Sequence, residues 1–138
     1  MFFNSIFMRS LKKTEWLIFL SLIAISWLAL IYIESSRPPL KILGVIPGLD
    51  KVVHFAAYSI LGLMILAMLT LIGAYKKIPV LPLAVFFVVI AGLFDEFHQA
   101  FVPGRNTDAW DLLADFCGGL FFTVIIQCYL GNRRSYHV

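Results

Sequence analysis

Residues 16–33 read WLIFLSLIAISWLALIYI, interrupted only by the weakly polar Ser21 and Ser26. Roughly 20 apolar residues, each rising about 1.5 Å, carry an α-helix across a bilayer. The stretch is therefore long enough to span, and no charge interrupts it. Working outward, three further stretches qualify, at about residues 52–75, 78–97 and 109–130. The reading is all-α, a four-helix bundle embedded in a membrane.

Composition agrees. Of 138 residues, 61% are hydrophobic and 14% charged, with a mean hydropathy of +0.91. A water-soluble domain of this length has too little interior to hide so much apolar side chain. Lipid solvates the outward faces instead, so the bilayer is the first expected partner. The formal charge of +3 could suggest nucleic acid, but the basic residues form no stripe. They stand in short groups beside apolar segments, and nucleic acid is excluded as a partner.

Those groups set an orientation. Arg9, Lys12, Lys13, Lys76, Lys77, Arg133 and Arg134 fall on one side of the four spans, and Arg37, Lys41, Lys51 and Arg105 on the other. The positive-inside rule then puts both termini in the cytoplasm. The expected organisation is a cytoplasmic segment 1–15, spans at 16–33, 52–75, 78–97 and 109–130, outer connections 34–51 and 98–108, and a tail 131–138. The first span follows basic residues as a secretory signal does, but no small-x-small cleavage site follows it, so it reads as an uncleaved anchor. Met8, followed by Arg-Ser-Leu-Lys-Lys, reads as a natural start. The second span is joined to the third by a tight Lys76-Lys77 turn. Asp50 is placed to cap the second helix. Cys117 and Cys128 have neither redox nor metal spacing and read as small core residues. Gly62, Gly92, Gly118 and Gly119 read as close-packing positions between helices.

Chemistry gathers at the outer ends of three helices. Asp50, His54 and Tyr58 repeat every four residues and share one face, with Lys51 beside them. Asp95, His98 and Gln99 share another, next to Glu96. Asp108, Asp111 and Asp115 share a third. A carboxylate at bilayer depth costs about 2.5–3.5 kcal/mol on insertion scales, so such groups should face a cavity or a partner. Three stripes on three adjacent ends imply one shared pocket. Six carboxylates there meet only Lys51 and Arg105 as fixed cations, an imbalance that favours raised pKa values, a cation or a cationic ligand group. Arg105 reads either as counter-ion to the aspartates or as a substrate clamp. No HExxH-like spacing is present, so neither a metal nor another cofactor is expected.

Asp50-Lys51-x-x-His54-Phe-x-x-Tyr58, Asp95-Glu96-x-His98-Gln99-x-Phe-Val-Pro103-Gly104-Arg105 and Asp108-x-x-Asp111-Leu-Leu-x-Asp115-x-x-Gly118 together resemble the VanZ-like family of membrane proteins, over roughly residues 43–129. One departure is Asp115, where the family motif often reads Asn. The resemblance implies a bacterial cytoplasmic-membrane protein acting in the cell envelope, and its name-giving member is associated with low-level teicoplanin resistance. It implies no reaction. Three readings stay open. The pocket binds or modifies a lipid-linked envelope precursor, a glycan or a glycopeptide. Alternatively Asp95 or Asp111 works with His98 as an acid–base pair in a hydrolase or transferase. Or the polar cluster only fixes helix packing in a structural protein.

Overall fold

In a computed structural model, described over residues 12–73 and 79–135, the chain is built from five helices with no strand among the described residues. They are α1 (Lys13–Ser35), the short α2 (Lys41–Val45), α3 (Leu49–Ile72), α4 (Val80–Gln99) and α5 (Ala109–Ser135). Four are long and apolar enough to cross a membrane, α5 through its segment Ala109–Ile126. The expected Lys76-Lys77 turn, Met8 and Arg9 lie outside the described residues, as do the side chains of Arg133 and Arg134.

Local chemistry sets the helix ends. Gly48 precedes α3 at φ 77° and Gly73 closes it at φ 81°, a left-handed backbone that suits glycine. The helix thus begins before residue 52, and Asp50 lies in its first turn instead of capping it. Pro79 stands at the N-cap of α4 and Pro82 in its first turn, where the N–H groups have no intrahelical acceptor. That helix continues to Gln99, so His98 and Gln99 are helical and not part of the connection. Asp108 does cap. Its Oδ1 accepts the N–H of Trp110 at 2.9 Å, satisfying a free donor at the start of α5.

Helices α3, α4 and α5 pack tightly, and α1 lies against α3 and α4. Glycine makes the tight approach possible. A Cβ on Gly118 would run into the carbonyl of Phe55, and one on Gly119 would sit 2.8 Å from Val88 Cγ1. A Cβ on Gly62 would lie 3.2 Å from Gly119 Cα. Without a hydrophobic drive between helices in lipid, such close backbone contact supplies the van der Waals energy of association. Ser59 and Thr123, buried in this seam, donate to the carbonyls of Phe55 and Gly119 in their own helices. The opposite faces carry Leu, Ile and Phe toward lipid, Phe94 at 71% exposure among them. Cys117 and Cys128 are also on outward faces as free thiols. This corrects the core reading, because Gly118 and Gly119 take the inward positions of α5.

Helix α1 is tied to α3 by a polar bond at mid-helix. Trp27 Nε1–H donates to the Ala57 carbonyl at 2.9 Å, leaving that donor satisfied away from water.

Candidate functional site

The C-terminal ends of α1 and α4 and the N-terminal ends of α3 and α5 meet at one end of the bundle. There the side chains sort into two layers. In the upper layer the Lys51 ammonium stands 2.7 Å from Asp50, 2.5 Å from Asp108 and 2.9 Å from Asp111 Oδ1. The contact to Asp111 is an ion pair without hydrogen-bond alignment. Lys51 thereby ties α3 to α5, and its charge holds the Asp108 carboxyl below the ordinary aspartate range. Asp111 is buried, whereas Asp50 and Asp108 keep access to water.

One turn deeper lies the second layer. His54 Nδ1 is 3.0 Å from Asp115 Oδ1, and Asp115 is completely buried at 0% exposure. Gly92 of α4 makes room for it, since a Cβ there would lie 2.6 Å from Asp115 Oδ2. On α4, Gln99 Nε2 donates to Asp95 Oδ2 at 2.9 Å and reaches Ser35 Oγ of α1 at 3.4 Å. Glu96 Oε2 accepts the backbone N–H of Asp108 at 2.9 Å, tying α4 to the start of α5. Tyr58, also buried, lies with its ring parallel to His54 at a centroid distance of 6.2 Å. Two buried carboxylate oxygens of this layer, Glu96 Oε1 and Asp115 Oδ2, have no hydrogen-bond partner among the described residues. Buried oxygens of that kind are costly unless something supplies the missing charge or donor.

The layers floor a cavity of about 540 Å³. Asp50, Lys51, His54, Tyr58, Asp95, Gln99, Arg105, Asp108 and Asp111 line its polar side, with Trp27, Leu30, Ile31 and Val53 on the apolar side. Glu96 and Asp115 stand behind the lining through the bonds just described. The α1 wall was not readable in the sequence, because that span is apolar all round and gives no face away. The short helix α2, whose Leu43 also lines the cavity, escaped notice because five residues carry no periodicity.

Two expected members of the site are placed differently. His98 turns to α1, where its Nε2 lies 2.9 Å from Ser36 Oγ and its ring packs on Tyr32 at 4.5 Å. It does not line the cavity, and the histidine beside the buried carboxylates is His54. Arg105 lines the cavity but pairs with none of the described aspartates. Its Nε and terminal N–H groups donate to the carbonyls of Arg37 at 2.9 Å and Glu34 at 2.6 Å. A cation there complements the partial negative charge at the end of α1. The geometry also offers a donor set that spacing gave no hint of. One nitrogen of His54 and one oxygen each of Asp95 and Glu96 lie within 4.8 Å of one another. Contributed by two helices more than forty residues apart in sequence, they form no local motif.

Four membrane-spanning helices around a buried carboxylate–histidine cluster define a polytopic membrane protein with a polar site at one end of its bundle. Within that class, the chain belongs to the VanZ/LLP1 family, whose model matches residues 1–130. Comparison with curated proteins and with solved structures finds no match.

Proposed function

We propose that this protein binds an amphiphilic envelope ligand, lipid-linked or glycan, at the polar end of its bundle, and that this end faces outward from the bacterial cytoplasmic membrane. The observation that carries the reading is the two-sided cavity, with carboxylates, Lys51 and His54 opposite an apolar wall of Trp27, Leu30 and Ile31. Ligand sites combine apolar walls with a few fixed polar groups that set orientation, and a lipid-linked head group offers both partners. The excess of basic residues on the other side of the spans supports the orientation. Lowered teicoplanin susceptibility is the phenotype proposed for such binding.

The test is expression in a glycopeptide-susceptible Gram-positive host, reading teicoplanin susceptibility and membrane abundance together. Wild type protects; Asp95→Asn, Tyr58→Phe and Asp111→Asn accumulate normally and do not protect. Variants that lose protection only as they lose abundance make the cluster a packing device instead. No protection by wild type removes the resistance role.

A second reading, an acid–base hydrolase or transferase, is favoured by the buried His54–Asp115 couple, since a carboxylate orients imidazole and tunes its basicity. Turnover of a lipid-linked saccharide by purified protein, lost in His54→Gln, separates it from binding alone.

A further inference from the structure

The two layers differ in how their charge is balanced. Lys51 serves Asp50, Asp108 and Asp111 above. Below, Asp95, Glu96 and Asp115 have no lysine or arginine partner among the described residues, because Arg105 is turned to the end of α1. Among those residues their one basic neighbour is His54. Three carboxylates, all at 8% exposure or less, are costly to hold side by side at membrane depth without a further positive charge.

From this arrangement we infer that His54, Asp95 and Glu96 bind a divalent transition-metal ion such as Zn2+ or Mn2+, with Asp115 as a positioning residue. Their ligand atoms lie within 4.8 Å of one another, close enough for small side-chain movements to bring all three onto one ion at about 2.0–2.2 Å. The donor set, one imidazole and two carboxylates, suits Zn2+ and Mn2+ better than the all-oxygen shell of Ca2+. Glu96 presents a second, independent sign: it is over nine-tenths buried, and its Oε1 has no hydrogen-bond partner among the described residues. Asp115 completes the arrangement from behind. Its Oδ1 is placed to accept from a proton on His54 Nδ1, the tautomer that leaves the Nε2 lone pair for an ion, and it fixes the ring's orientation as carboxylates behind metal-bound histidines do. Gln99 Nε2 donates to Asp95 Oδ2 and so fixes the rotation of that carboxylate. A dication lowers the layer's charge from minus three to minus one. The inference stands whatever molecule occupies the cavity, because it concerns the floor alone.

The experiment uses the full chain in nanodiscs, stripped with chelator, reloaded with Zn2+ or Mn2+ alone and desalted. Metal per chain and melting temperature are then measured. Wild type retains one ion and melts higher with it. Glu96→Gln, with helicity and elution volume unchanged, retains none and shows no metal-dependent rise. Asp108→Asn, in the upper layer, retains metal like wild type. Asp115→Asn keeps the stoichiometry but weakens affinity about 10–100-fold, the usual effect of losing the group behind a ligand. Absence of retained ion in wild type overturns the inference without recourse to any variant, and equal retention by Glu96→Gln overturns it too. A wild type that retains metal but gives no teicoplanin protection would count against the resistance role and leave the metal site standing.

Discussion

At one end of the bundle Leu66, Leu69, Val80 and Ala84 pack into a dry cluster, joined by Ile65, Leu83 and Ile126. At the other end the same helices α3, α4 and α5 present carboxylates, a lysine, a histidine and a glutamine to one another. The apolar end makes contacts that lipid can nearly reproduce, since acyl chains are as apolar as leucine. It therefore says little about how far each helix should be rotated. The polar end cannot be reproduced by lipid at all. Each of its groups must point at a particular partner, so rotation and register are fixed there, while the glycine seam between the two ends sets distance. Packing closeness, rotation and apolar burial thus reside in three places, and each can be removed separately.

The largest effect is expected in the seam. Gly118→Val places side-chain atoms where the Phe55 carbonyl stands, and neither backbone can yield without separating α3 from α5. Folded protein recovered from membranes should fall nearly to zero by size exclusion in mild detergent. Normal recovery would mean that the two helices are not held by close contact. Lys51→Met comes next. It leaves the buried Asp111 without its cation, and because Lys51 keeps about a third of its exposure the cost is discounted to about 2 kcal/mol. Adding Asp111→Asn to that variant should restore part of the loss in a thermal unfolding series. Independent, additive losses would break the claim that the two residues act together. Leu66→Ala, in the dry cluster, should cost least, about 1 kcal/mol. That is below the range for water-soluble cores, because lipid can meet the newly exposed surface. A larger loss than for Lys51→Met would reverse the comparison.

Much of this was legible in the sequence. The four spans follow from uninterrupted apolar length, and the convergence of Asp50, His54, Asp95, Asp111 and Asp115 follows from helical spacing and the cost of charge in lipid. The glycine positions were legible because small residues let membrane helices approach closely. What failed was rotation. Successive residues turn by about 100° on a helix, so Asp95, Glu96 and Gln99 centre a face from which His98 lies about a quarter-turn or more away. Spacing of three from Asp95 suggested a shared face, and only the neighbouring α1, offering Ser36 and Tyr32, decides which side His98 takes. For Arg105, read either as counter-ion or as clamp, the limit was a related one. The attraction of aspartates was visible in the chain, but the free carbonyls at the end of α1 were not. Asp50 failed as a cap because Gly48, two residues earlier, can adopt the left-handed backbone that starts the helix sooner.

The bond from the Asp108 N–H to Glu96 has a consequence for the order in which the molecule is made. Helix α5 begins on a group belonging to α4, and it brings Asp111 to Lys51 and Asp115 to His54. Until α5 has followed α4 into the bilayer, Lys51 has only its neighbour Asp50, and His54 and Glu96 lack these partners. Helices α1, α3 and α4 therefore make a hairpin with an attached helix, but no site. Completion waits on α5, so a helix made after the other three is the one that closes the cluster.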